Sequence, residues 1–149
     1  MNTIDDALPA DGAADVYETT LRRLVTSNVI SKSSLTNFPK FDLMLLDMGP
    51  DGHVASLFPG YPAVNETKKW VTYLKNAPKP PPERITFTLP VINATSNIAM
   101  VITGAGKADA VYSALEKGPN DNRLPIQQVN PEGDIKWFLD KGAASRLYR

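Results

Sequence analysis

The sequence carries a single histidine, His53, in the run Gly49-Pro50-Asp51-Gly52-His53. Imidazole is the one side chain whose ordinary pKa, about 6.5, lets it take a proton from water near neutral pH. Asp51 stands two residues before it, in a stretch that proline and glycine force into a turn. A carboxylate there can orient the ring or stabilise its protonated form, the division of labour needed by a general base. A histidine that only caps or hydrogen-bonds its own turn fits the same spacing, and composition leaves both readings open.

A second candidate is Gly104-Ala105-Gly106-Lys107. A glycine-rich turn opening a helix presents backbone N–H groups to an anion and the lysine adds a mobile charge, so phosphate is the natural guest. The run is not a Walker A loop, because Val101 stands at the first glycine position and Ala108 where Ser or Thr would hold magnesium. Nor is it a dinucleotide fingerprint, since Asp109 replaces the third glycine. A tight turn with a solvated lysine is the competing reading. Arg84, just after Pro78, Pro80, Pro81 and Pro82, could add a bidentate phosphate contact or be a plain surface arginine.

Periodicity predicts the scaffold for these groups. Tyr17, Leu21, Leu24 and Val25 mark one face of a helix, and Glu18 precedes Arg22 by one turn, a pair that supports it. Leu43 to Leu46 reads as a strand covered on both faces, and Val54 to Phe58, stopped by Pro59, as a helical turn. Trp70 to Leu74 and the alternation Ile85, Phe87, Leu89 read as strands joined by a stiff proline-rich surface connector. Pro90 to Thr95 reads as a helical turn, Ile98 to Thr103 as a buried strand, and Ala108 to Leu115 as a helix stopped by Gly118. Pro125 to Val129 reads as another strand, and Trp137 to Leu139 as an apolar closing segment. Such alternation predicts one α/β domain with a mostly parallel sheet flanked by helices. Ligands of such sheets gather beyond the carboxyl ends of the strands, where His53 and Lys107 both fall.

Composition narrows the function classes. The 149 residues carry 16 Lys+Arg against 16 Asp+Glu, which removes the basic footprint of a nucleic-acid or membrane-surface binder. Without cysteine, and with one histidine, neither a disulfide framework nor a Cys/His zinc site can be assembled. The first fifteen residues hold four aspartates and no basic residue, the opposite of a signal or transit peptide, and no apolar run approaches the roughly 18 residues of a membrane span. The expected compartment is the cytoplasm, with a plastid open if the N-terminus is incomplete.

The run Gly49-Pro50-Asp51-Gly52-His53-Val54-Ala55-Ser56-Leu57-Phe58-Pro59-Gly60 resembles the signature of the 6-phosphogluconolactonases. Pro81 to Asn93, Thr103-Gly104 with Lys107-Ala108, and Trp137-Phe138-Leu139-Asp140 extend the resemblance, which covers Phe38 to Ala144 well and the preceding helix more loosely. It implies a sheet related to the hexosamine-phosphate isomerase/deaminase fold, and hydrolysis of 6-phospho-D-glucono-1,5-lactone in the oxidative pentose phosphate pathway. It implies no metal or organic cofactor. Carried over, His53 would activate water against the lactone carbonyl, Asp51 would orient it, and Arg84 and Lys107 would hold the 6-phosphate. The implied partner is that small sugar-phosphate lactone.

Two departures bear on this. The family usually has glycine where Asp47 stands, and a carboxylate there would crowd or repel an anionic substrate. Family members also begin with a Gly-Gly-Ser-Thr type phosphate loop and later carry an Asp-Glu-Arg segment, and this chain has neither. Residues 1–149 thus resemble a single domain lacking its N-terminal strands, and the exposed sheet edge would invite self-association. The rival readings are a non-catalytic homologue that binds sugar phosphate or a partner chain, and a hexosamine-6-phosphate isomerase or deaminase.

Overall fold

The computed structural model describes residues 1–118 and 120–148. The chain opens with α1 (Ala10–Thr26), followed by the short strands β1 (Ser31–Lys32) and β2 (Pro39–Lys40), which pair antiparallel. Next come β3 (Met44–Leu46), the ribbon of β4 (Val71–Leu74) and β5 (Arg84–Phe87), α2 (Leu89–Asn93), β6 (Asn97–Ile102), α3 (Ala108–Leu115) and β7 (Asp134–Leu139). The central sheet is parallel in the order β3-β6-β7, so β6 runs down the middle and β3 lies at one side. This is the α/β fold with a parallel sheet that the alternation predicts.

One face of the sheet carries the core. Met44, Ile98, Met100 and Ile102 point into it and pack with Val111 and Ala110 of α3, Ile92 of α2, and Leu57 and Phe58 from the loop after β3. Residues two apart in a strand share a face, so the alternate positions form the opposite side. There Leu45 is 70% exposed, Val101 48% and Phe138 54%. The expectation that Leu43 to Leu46 is covered on both faces is therefore corrected: β3 is a sheet edge, and nothing among the described residues covers Leu45.

Two further readings change. Pro125–Gln128 is a 3-10 turn, not a strand, because Ile126 N–H reaches back to the Gly52 carbonyl at 3.1 Å and Gln127 closes the turn on Leu124. Val54 to Phe58 is not a helical turn. Val54 bridges Met48 on one side and Leu57 on the other, and Ala55 adopts a φ of 50°, incompatible with a right-handed helix.

Helix α1 lies on the β4–β5 ribbon and is fastened there by Glu18. One carboxylate oxygen accepts the backbone N–H groups of Trp70 (2.6 Å) and Val71 (3.0 Å), while the other takes Arg22 at 2.9 Å, the pair expected from the sequence. Arg22 in turn lies over the Trp70 ring at 4.2 Å. Burial works against the Glu18 charge, but the Val71, Arg22 and Trp70 hydrogen bonds hold its carboxyl below the ordinary glutamate range. The stability it contributes is thus fully present above the unfolded-state pKa and is lost as pH falls through the lower folded-state value. Glu18→Ala is expected to destabilise the fold by about 1–3 kcal/mol by leaving the Trp70 and Val71 N–H groups, at the start of β4, without their acceptor. A urea titration at pH 7 measures the loss, and an unchanged midpoint would dismiss the role.

Candidate active site

The loop after β3 is built to hold His53. Gly49 N–H donates to the His53 carbonyl at 3.0 Å and Gly52 N–H to the Gly49 carbonyl at 2.9 Å, closing the turn on itself. Gly52 has a φ of +81°, a region that favours glycine, and its carbonyl is held by Ile126. The turn brings His53 Nδ1 to 2.6 Å from Asp51 Oδ1, the same oxygen accepting the His53 backbone N–H at 3.2 Å. The imidazole also lies against the fully buried Phe58 ring, centroid to centroid 4.4 Å.

Burial raises the Asp51 carboxyl, but the hydrogen bonds from the His53 ring and backbone, with the nearby Lys79 charge, outweigh it and hold the group below the ordinary aspartate range. An ionised carboxylate only accepts, so Nδ1 must be the ring nitrogen that carries the proton. That leaves Nε2 as the basic atom, on a side chain still 18% exposed to water.

The structure brings His53 and Asp51 together, and Arg84 stands nearby. Its guanidinium is 5.3 Å from the centre of the Phe58 ring that the imidazole also touches. It donates to the carbonyls of Pro81 (3.0 Å), Lys79 (3.1 Å) and Pro80 (3.0 Å), folding the proline connector back toward the site. The buried Thr86 hydroxyl, next but one along β5, accepts the Ser56 N–H at 3.1 Å and so ties the histidine loop to the ribbon that carries Arg84. A largely apolar cavity of about 490 Å³ beside them is lined by Arg84, Ser56, Thr86, Phe87 and Tyr17. Its lining includes Arg84 but neither His53 nor Lys107.

Lys107 ends the turn after β6, at the same end of the sheet. Its Nζ donates to both oxygens of Asp47 at 2.7 and 2.8 Å, so its charge is paired rather than solvated. Beside it the Asp140 carboxylate, just past the end of β7, accepts the N–H groups of Gly104 (3.0 Å) and Ala143 (2.7 Å). Those bonds hold the Asp140 carboxyl below its usual range and occupy one of the N–H groups the glycine turn would have offered an anion. Sequence reasoning assigned Asp140 no role. Its signal was a carboxylate directly after an apolar strand and before Gly142, where it can meet a loop backbone.

Residues 1–137 match the family described as glucosamine-6-phosphate isomerases/6-phosphogluconolactonase. This chain belongs to that family. A relative named probable 6-phosphogluconolactonase 4, chloroplastic, from Oryza sativa subsp. indica is 61% identical over 146 residues, covering 97% of this chain and 45% of the relative. 6-phosphogluconolactonase 3, chloroplastic, from Arabidopsis thaliana is 56% identical over 144 residues, 97% of this chain and 44% of its own length. Among solved structures, the 6-phosphogluconolactonase from Leishmania guyanensis superposes with a TM-score of 0.82 at 23% identity, covering 99% of this chain and 62% of that one, which supports the fold. The chain thus spans less than half the length of these curated plant relatives of the 6-phosphogluconolactonase family.

Proposed function

We propose that this chain carries the water-activating part of a 6-phosphogluconolactonase site and hydrolyses 6-phospho-D-glucono-1,5-lactone to 6-phospho-D-gluconate. The observation that carries the reading is the 2.6 Å contact between His53 Nδ1 and a carboxylate held in its charged form. With Nδ1 protonated, Nε2 accepts a proton from water as the water oxygen attacks C1 of the lactone. The tetrahedral adduct then collapses, the bond from C1 to the ring oxygen breaks, and the imidazolium returns its proton to that oxygen. Arg84 and Lys107 are assigned the 6-phosphate, which requires Arg84 to exchange proline-loop carbonyls, and Lys107 to exchange Asp47, for phosphate oxygens. The lactone is favoured over an amino sugar because the curated relatives at 56–61% identity carry the lactonase name. The same names read chloroplastic, which weighs for a plastid and against the cytoplasm.

The test is lactone hydrolysis by the 149-residue chain, with spontaneous opening subtracted, together with its thermal stability in 6-phosphogluconate. Binding to the folded state alone adds about 2.7 kcal/mol of stability at a ligand concentration of 100 Kd. A folded chain that neither exceeds the spontaneous rate nor is stabilised would refute the assignment.

The bare sheet face favours a second reading, in which the chain works only when that face is covered. Parallel sheets are ordinarily covered on both faces. Leu45, Val101 and Phe138 side by side with the open edge of β3 are expected to drive self-association of the chain. Sedimentation of the purified protein should give a species larger than a monomer, returned to monomer by Phe138→Lys. A monomer at high micromolar concentration would discard this reading.

A further inference from the structure

We propose that Asp47 is an internal competitor for the substrate phosphate, a carboxylate that occupies Lys107 until a phosphorylated ligand displaces it and so sets how strongly the site takes phosphate. The inference rests on the assignment of Lys107 to the 6-phosphate. Three features of the structure support it.

The first is the geometry of the pair. Lys107 Nζ bonds both carboxylate oxygens, at 2.7 and 2.8 Å, and so spends two of the three donors of an ammonium group on one partner. The second is that Asp47 does not swing freely. Its Oδ1 also accepts the backbone N–H of Met48 at 2.7 Å, fixing the carboxylate at the end of β3. Met48 bridges Val54, the residue after His53, so the same strand end carries the histidine loop. The third is access. The Asp47 side chain is 65% exposed and Lys107 23%, so a ligand from solvent can approach the pair and exchange one anion for the other.

The carboxylate therefore does more than crowd an incoming phosphate. It must release Lys107 before the lysine can bind phosphate, and once released it stays beside a group carrying up to two negative charges. Removing it should tighten phosphate-bearing ligands and leave ligands without phosphate unchanged. For a pair this exposed the gain is about three- to tenfold in Kd. Lys107→Ala should weaken binding less in the natural background, where Asp47 already holds the lysine, than in the Asp47→Gly background, where the lysine is free for phosphate.

The experiment is calorimetric titration of the 149-residue chain and of Asp47→Gly, Asp47→Asn, Lys107→Ala and the Asp47→Gly/Lys107→Ala double variant. The ligands are 6-phosphogluconate and unphosphorylated gluconate, and circular dichroism verifies folding. Asp47→Asn keeps the side-chain shape, so it reports the charge even if glycine loosens the strand end. The expected result is tighter 6-phosphogluconate binding in both Asp47 variants, no gain for gluconate, and loss of the gain in the double variant. If Lys107→Ala weakens 6-phosphogluconate binding but neither Asp47 variant strengthens it, the competition is overturned while the phosphate assignment stands. If no folded variant binds 6-phosphogluconate, or if Lys107→Ala has no effect even in the Asp47→Gly background, the assignment of Lys107 fails and the inference falls with it.

Discussion

His53→Ala is expected to lower the turnover of lactone by about 10²- to 10⁴-fold, the range that general-base removal commonly costs. The substitution should leave the fold standing. The side chain is partly solvated, and the turn that holds it is closed by backbone bonds from Gly49 and Gly52 that alanine at 53 can still make. Asp51→Asn tests the division of labour inside the pair. Asn can offer its amide N–H to Nδ1, which favours the tautomer with the proton on Nε2 and removes the basic atom from the position facing water. Activity should fall while 6-phosphogluconate binding persists.

Acid should act on the same contact. The Asp51 carboxyl is held below its ordinary range when folded, so the stability it contributes is fully present above its unfolded-state pKa and drains away as pH drops through the folded-state value. In Asp51→Asn the acid limb of stability, followed by circular dichroism, should be shallower. Rates of His53→Ala within a fewfold of the parent, after subtraction of spontaneous opening, would remove the imidazole from the mechanism.

What the sequence discloses here divides along physical lines. The histidine turn is legible because glycine and proline restrict the backbone locally, so the approach of Asp51 to His53 is set by five consecutive residues. The i,i+4 spacing of Glu18 and Arg22 and the helical face around Leu21 are equally local. The edge position of β3 is not local. An apolar run reads the same in the centre of a sheet and at its rim, and the run itself does not disclose that Leu45, like Val101 on the central strand, has no covering layer among the described residues. Pro125 to Val129 fails for a related reason, since its β-branched and apolar residues suit a strand but a bond from Ile126 to a loop 74 residues earlier holds it as a turn.

The cations are the least legible of all. Lysine and arginine have long flexible side chains, so their positions in sequence do not say what they touch. Nothing in the sequence shows Lys107 bonded to Asp47 or Arg84 bonded to the carbonyls of its own connector. Glu18 is half legible: its pairing with Arg22 follows from helix geometry, while its grip on Trp70 and Val71 depends on packing between elements more than 50 residues apart.

Gly49→Ala is expected to abolish activity about as fully as His53→Ala, at least 10²-fold, through a different physical route. The backbone at Gly49 is not in the left-handed region, so alanine meets no conformational obstacle there. The obstacle is space. A Cβ at that position would overlap His53 Cε1 and Nδ1 and come within 2.7 Å of Asp51 Oδ1. Both members of the pair would have to move, and the imidazole cannot retreat far because the buried Phe58 ring backs it at 4.4 Å. Crowding of this kind costs about 1–3 kcal/mol of stability, so the variant should fold at room temperature yet lose the alignment that makes Nε2 the basic atom. Gly118→Ala is the matched control, because a Cβ there meets nothing within 4 Å, and it should retain full activity. The loss in Gly49→Ala should appear together with a shifted His53 ring signal by NMR. A Gly49→Ala enzyme that turns over lactone within twofold of the parent would show that the pair tolerates displacement, and that its 2.6 Å contact is not what the reaction depends on.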